Sequence, residues 1–345
     1  MYKNKYSKIC MLVIVVLAML FVTACGKGPG EEGSANGTDA EQYKLKFYWC
    51  EADTDMDPYA ISAHEFKNRV EEKTDGRVEV LLYPDSQLGS EREAIEGISL
   101  GTIDMGVITN APISGFVPQF QILDLPYLFS DVEQAHSVLD GPIGQDLLKL
   151  LGDHGIIGLG FTEGGFRQMI NNVRPINTPD DVAGIKFRVM ENPVYIGMFE
   201  AMGSNPTPMA WGETFTAVQQ KTIDGLEIPI PVIHQNKYYE VARYLSLTNH
   251  TYSPLVYMIS EKTWDTLPVD IQDAVVESAK EAVKAQRIRN GKNIEGLLLD
   301  LEEQGMEVNT VENMGLFKEK MASLYEEYEE IVGKDLMDAI LEATK

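Results

Sequence analysis

The sequence predicts an α/β protein made of two interleaved halves, and three observations carry that expectation. Strand-like and helix-like segments alternate from residue 45 onward. The chain has 345 residues, enough for two domains each with its own core. From Pro268 to about Glu303 there is almost no helix breaker, and a helix of that size is roughly 50 Å long, more than one domain's width. If continuous, it belongs to both halves and braces them; a break near Gly291 would give two shorter helices.

The elements follow in order. "LKFYW" (45–49) reads as a strand. Tyr59, Ala63, Phe66 and Val70 share one face of a helix over 58–74 that Gly76 stops. "RVEVLLY" (77–83) is the next strand; Ser90 and Glu93 have capping-box spacing and open a helix that Gly101 closes. "IDMGVI" (103–108) is a third strand. Strand–helix–strand repetition of this kind predicts a mainly parallel sheet. "GIIGLGF" (155–161) and "FRQMI" (166–170) read as two later strands, with the glycines of "GLGFTEGG" at a crossing between them. A short capped helix at Thr178-Pro179-Asp180-Asp181 precedes the strand "GIKFRVM". Ile271, Val275, Ala279, Val283 and Gln286 then follow helical spacing inside the long C-terminal stretch.

Ahead of this body lies a different kind of segment. "MYKNKYSK" supplies three lysines, and 14 apolar residues run from Ile9 to Val22. A basic start, a short apolar run and small residues make a secretory signal, too short to span a bilayer comfortably. Val22-Thr23-Ala24-Cys25 resembles the bacterial lipobox, which implies cleavage after residue 24 and a lipid on the Cys25 thiol. Residues 25–42 are Gly-, Ser- and acid-rich and read as a flexible tether, with a reach of roughly 20–25 Å. The expected location is outside the cytoplasm, on the outer face of the cell membrane or in the periplasm.

Composition removes several classes of function. With 53 acidic against 29 basic residues the net charge is −24, which excludes a nucleic-acid partner, since phosphate backbones need a basic footprint. An acidic surface also repels anionic lipid, so membrane attachment falls to the lipid anchor. Cys10, Cys25 and Cys50 are the only cysteines, leaving a single thiol in the body and no intramolecular disulfide framework.

In that acidic chain the pair Lys186 and Arg188 stands out. On a strand, Ile185, Phe187 and Val189 face one way while the two cations face the other. Pattern alone allows an amphipathic strand with a solvated outer face. Two features shift the reading: "GGFRQMI" sets Arg167 in a second apolar strand, and "NPTPMAWGETF" (205–215) forms a Pro-braced loop presenting Trp211 and Phe215. Guanidinium groups beside aromatic rings suit a carboxylate, being planar, forked and always charged.

The chain also resembles the DctP-type solute-binding proteins of tripartite ATP-independent periplasmic (TRAP) transporters. The matching stretches are "LYPDSQLGSEREAIEGISLGTIDMGV", "LDLPYLF", "NTPDDVAGIKFRV", "GSNPTPMAWGETFTAVQQKTIDGLE" and "KYYEVARYLSLTNH". The resemblance implies a two-lobed, type II-like periplasmic binding protein fold with crossing strands and a long C-terminal bridging helix. It implies lobe I over 43–164 and 254–293, and lobe II over 165–253 and 294–345. It implies that Arg188 pairs with the ligand's carboxylate, that Arg167 often contacts the ligand, and that Trp211 and Phe215 match aromatic positions near it. Cys50 and Glu51, Thr109 and Asn110, and His250 match places where ligand contacts lie, whereas Arg174 reads as structural. Many members read D-G-x-E-N-P where this chain has Asp224-Gly225-Leu226-Glu227-Ile228-Pro229. Ile228 cannot donate the hydrogen bond that the asparagine supplies, so an apolar wall, or a carboxylate oxygen served only by Arg167, is expected there. The implied ligand is a small organic acid: a sugar acid, a hydroxy or keto acid, or a dicarboxylate. The implied partner is a TRAP membrane permease, with the binding protein a monomer; a sensor kinase is the alternative partner.

Sharper chemistry finds less support. "GISLG" (97–101) fits G-x-S-x-G, but an esterase elbow needs a strand before the serine and a helix after it, and here the order is reversed. "GLGFTEGG" lacks dinucleotide-loop spacing, so no cofactor is expected. The five histidines form no close pair, and Glu51, Asp53, Asp55 and Asp57 lack calcium-loop spacing. No metal is expected, and that acidic run reads as a solvated loop.

Overall fold

The computed structural model describes residues 41–345. The signal segment, Cys25 and the tether as far as residue 40 lie outside the described residues.

Strands β1 (Tyr43–Tyr48), β2 (Val78–Tyr83) and β3 (Met105–Thr109) lie parallel in the order β2-β1-β3. Helices Pro58–Lys73 and Glu91–Leu100 make the crossovers. Their signals are the expected ones. Asp57 caps the first helix by accepting from the amides of Tyr59 and Ala60; Ser90 and Glu93 form the capping box of the second, and Gly101, at φ 77°, ends it in the left-handed region.

β4 (Ile156–Asn171) was expected as two strands and is one continuous strand of 16 residues. Its register shifts between Gly158 and Gly160 and again between Glu163 and Gly165. Gly165, at φ 101°, takes a backbone shape that costs other residues dearly, so the strand bends without breaking. β5 (Phe187–Val189), β6 (Thr207–Pro208) and β7 (Gly225–Pro229) form a second parallel set in the order β7-β5-β6. β8 (Tyr244–Leu247) borders the far half of β4, and β9 (Tyr252–Ser260) runs back between β3 and β4. β10 (Glu307–Thr310) pairs parallel to β8.

Parallel pairing therefore holds among the other strands of each half, but β4 and β9 run antiparallel to every strand they pair with. The reason is directional. β4 leaves the first half at the carboxyl edge of its strands and enters the second half at the carboxyl edge of β5 and β7. Both parallel sets thus point their carboxyl ends at one shared boundary, where open α/β sheets place ligands.

The long helix is continuous over Val269–Glu303. Ile271, Val275 and Ala279 pack in one hydrophobic core while Leu297 and Leu301 pack in a second, so the helix braces both halves. Gly291 and Gly296 sit where a Cβ would meet open space; they weaken the helix by about 1 kcal/mol each without kinking it. Gln286, fully buried, clasps the bend of β4: its Nε2 donates to the Glu163 carbonyl at 2.6 Å and its Oε1 accepts the Glu163 amide at 3.1 Å. Near the chain end, helix Ser323–Val332 packs on the turn Pro118–Asp124, and Tyr325 donates to the Pro126 carbonyl at 2.9 Å.

Candidate functional site

The shared boundary holds a narrow cavity of about 20 Å³ that opens into larger spaces of about 260 and 310 Å³ on its flanks. One side comes from the ends of β1 and β3 and their helices: Cys50, Glu51, Tyr59, Glu91 and Thr109. The other comes from β4, β5, β7 and their loops, chiefly Arg167, Arg188, Met190, Trp211, Ile228 and Val232. The space widens on both sides of Trp211, toward Arg92 and Glu191 on one flank and toward Asn236 and Tyr238 on the other.

Arg188 lies at the centre of β5 between two fully buried apolar residues, Phe187 and Val189. Its side chain is 3% exposed, whereas Lys186 two positions earlier is exposed. The two cations therefore part: one meets solvent, the other the cleft. Arg188 Nε and Nη2 both donate to the Met209 carbonyl, at 2.9 and 2.6 Å, and the Trp211 ring lies 5.8 Å from its guanidinium carbon. Among the described residues it has no carboxylate partner within ion-pair distance. Burial pulls its pKa down, partly offset by the charge of Glu227, yet guanidinium keeps its proton in proteins. A buried cation without a partner is costly, and the cost is relieved when an anion arrives.

Arg167 differs. Glu227, fully buried on β7, takes its fork: Nε and Nη2 reach the carboxylate, Nη2 also reaches the Glu227 carbonyl at 2.6 Å, and Nη1 donates to Ser253 Oγ at 3.2 Å. Although burial alone would raise it, the Glu227 carboxyl is held below its ordinary pKa by Arg167 and His250. Arg167 borders the cavity with most of its donors committed, so it is poorly placed to serve a ligand oxygen alone. Arg174 donates to the carbonyls of Asp181 and Ala183 at 2.7 and 2.6 Å, tying a loop together.

On the facing side, Glu51 and Glu91 are 3% and 8% exposed. Glu91 accepts the Thr109 amide at 2.8 Å and Glu51 accepts from Asn236 Nδ2 at 2.8 Å. Burial raises the pKa of both, against a lowering pull from Arg188. Burial likewise pushes the Cys50 thiol up, so it stays protonated next to Glu91. The acidic run expected as a solvated loop is half buried: Asp53 and Asp55 face water, but Glu51 lines the cavity and Asp57 caps a helix.

Several sequence-stretch expectations are redirected by this packing. Asn110 is fully buried and donates to the Phe120 carbonyl at 3.0 Å, outside the cavity lining. His250 stands behind the lining, with Nδ1 2.8 Å from Thr248 Oγ1 and Nε2 3.4 Å from Glu227; it touches the site only through Glu227. Phe215 packs on Tyr238 at 5.5 Å in the Asn236 flank. Ile228 lines the cavity together with Met190 and Val232. Tyr59, Glu91 and Met190 are lining residues that pattern reading missed. Glu91 was visible only as part of the helix start "SERE", where an acidic first turn has an ordinary explanation.

Ser99 lies within helix Glu91–Leu100 and donates to the His154 carbonyl at 2.6 Å, so "GISLG" forms no nucleophile elbow. No group of three or more metal-ligating side chains occurs among the described residues, and no helix there is long and apolar enough to cross a membrane.

Comparisons with known proteins agree with this geometry. Residues 51–331 match the family described as DctP, bacterial extracellular solute-binding protein, family 7. A solved TRAP periplasmic solute-binding protein from Polaromonas sp. JS666, bound to D-erythronate, superposes with a TM-score of 0.84 at 40% identity, covering 87% of this chain and 98% of that one. A solute-binding protein of Verminephrobacter eiseniae is 38% identical over 82% of this chain and 84% of its own length. The 2,3-diketo-L-gulonate-binding periplasmic protein YiaO of Escherichia coli is 37% identical over 77% of this chain and 80% of its own. These relatives are two-lobed ligand-binding transport proteins and not enzymes, and the chain belongs to the DctP family of TRAP solute-binding proteins.

Proposed function

We propose that this chain captures a small organic acid outside the cytoplasm, holds its carboxylate on Arg188, and delivers it to a TRAP membrane permease. The observation that carries the reading is Arg188 itself: buried, forked, with Nη1 uncommitted and no acid within ion-pair distance among the described residues. Relatives named for D-erythronate and 2,3-diketo-L-gulonate support the ligand class. Trp211 packs against the ligand's body, and Cys50, Glu51, Thr109 and Ile228 border it. The lobes are 43–164 with 254–293 and 165–253 with 294–345, hinged where β4 bends near residues 161–166 and where β9 begins. An empty closed cleft leaves the guanidinium unpaired, so closure is favoured by ligand. Cleavage after Ala24 and lipidation of Cys25 tether a monomeric body to the membrane.

Tryptophan fluorescence of the full-length protein in detergent tests the reading. Trp211 lines the cavity, whereas Trp49 is fully buried in the first core and is not part of the cavity lining. An organic acid is expected to change the emission of the wild type and not of Trp211→Phe. Failure of every acid in a broad panel to change emission or melting temperature would refute it.

A further inference from the structure

We propose that Asn236 is a latch residue: its side-chain amide, carried by the second lobe, grips the Glu51 carboxyl of the first and holds a bound acid in the closed cleft. The proposal deepens the reading of capture at Arg188 between two lobes and rests on it. Arg188 decides what enters, and the latch decides how long it stays.

The two residues are 185 positions apart and meet because the halves face each other. Glu51 lies beyond the end of β1, and Asn236 closes the helix Ile230–Gln235. The Asn236 side chain has two protons to give. One goes to Glu51 Oε2 at 2.8 Å and the other to the Val232 carbonyl at 3.1 Å, so a bond within its own helix aims the amide across the gap. Glu51 answers from a loop already committed to the other half, since Met56 in that loop packs against the second hydrophobic core. The bridge stands at the flank of the cavity where Cys50, Asp85 and Ser86 of the first half face Trp211, Phe215 and Tyr238 of the second.

A bond that exists in one arrangement of the lobes stabilises that arrangement alone. Separating the lobes breaks this one, because Asn236 is tied to its helix and Glu51 to the end of β1. An amide donor on a carboxylate is stronger than a neutral pair, and here it is largely shielded from water, Glu51 being 3% exposed. The same burial works against the empty protein. It raises the pKa of the Glu51 carboxyl, the mark of a desolvation cost that one neutral donor offsets in part. The bridge therefore adds to the ligand's own contacts and does not replace them. It slows reopening, and affinity rises with the closed fraction. Its effect falls on dissociation, because the ligand enters the open form, in which the bridge is absent.

Stopped-flow tryptophan fluorescence and titration calorimetry on the full-length protein in detergent test the latch, with D-erythronate and D-gluconate as probes. Asn236→Ala is expected to release the tighter probe at least tenfold faster than the wild type, about 1.4 kcal/mol, with association within threefold. Glu51→Ala should also release it faster. The double variant should then stay within threefold of the faster single one, because a broken bridge cannot be broken twice. Release by Asn236→Ala within threefold of the wild type overturns the proposal, as does a double variant whose effect is the product of the two single ones. Either result leaves Arg188 as the anchor. If neither probe binds the wild type, or Arg188→Ala keeps its affinity, the capture reading has failed and the latch falls with it. Asn236 is only partly buried, so its alanine variant decides the matter even where Glu51→Ala does not fold.

Discussion

Replacing Arg188 by methionine should make the empty protein more stable and the binding function nearly absent. The side chain is 3% exposed, lacks an ion-pair partner among the described residues and spends Nε and Nη2 on a single carbonyl, that of Met209. Removing an uncompensated buried charge recovers a penalty of several kcal/mol. Against this stand two hydrogen bonds to one acceptor, about 2–3 kcal/mol together, and the contact with Trp211, about 0.5–1 kcal/mol. Methionine fills similar volume and suits an irregular apolar site beside Met190. The balance is a gain of about 1–2 kcal/mol for the unliganded protein, a rise of roughly 1.5–3 °C in melting temperature for a body of this size. The ligand's carboxylate would then be buried without its cation, a loss of about 3–5 kcal/mol, or at least a hundredfold in affinity. Scanning calorimetry and titration calorimetry on one preparation read both quantities. Opposite signs, stability up and affinity down, identify a group kept for its ligand. A fall in melting temperature with affinity preserved within tenfold would show that Arg188 serves the fold, and would refute the reasoning.

Arg167 should behave in the contrary way. Arg167→Ala strands the Glu227 carboxylate, fully buried, without its forked partner, and should destabilise the unliganded protein by about 3–5 kcal/mol in denaturant unfolding; a loss below about 1 kcal/mol would contradict the structural assignment. Asp124 supplies a pH signature. Burial pushes its carboxyl up to about 7, against about 3.9 in an unfolded chain. The folded state therefore holds a proton that the unfolded state releases, so this contribution is complete below pH 4 and is lost as pH rises to about 7, at up to about 1.4 kcal/mol per pH unit. Asp124→Asn, which can still accept from Asn192 as Asp124 Oδ2 does at 2.9 Å, should flatten the fall in stability between pH 4.5 and 7; parallel curves for the two proteins would exclude a buried proton there.

Local rules accounted for much of the scaffold. The helix over 58–73, the capping box at Ser90 and Glu93 and the left-handed Gly101 all follow from signals within a few residues of each other, whereas the continuity of the 35-residue helix past Gly291 did not. The crossing strand was read as two because Gly160, Gly164 and Gly165 look like an interruption. In the folded chain β7, β8 and β9 border it on both edges and carry it through the bends. Parallel pairing was legible inside each half, but the antiparallel seam was not, because it depends on which edge of the second sheet β4 enters.

The chain's acidity, its export-like leader, its cysteine count, the spacing of its helices and strands and its family were all determined by the order of residues, because each rests on composition or on contacts between near neighbours. Tertiary structure alone decided which charges matter. Lys186 and Arg188 are equivalent on paper, and only the sheet's packing sends one to water and the other inside. Arg167 and Glu227 lie 60 positions apart and become a pair because β4 and β7 are neighbours. Glu51 and Glu91, from the end of one strand and the start of one helix, face a common space only when both halves surround it. Desolvation is a property of that enclosure and not of any segment, so the cost and the use of a buried charge are settled by the folded whole.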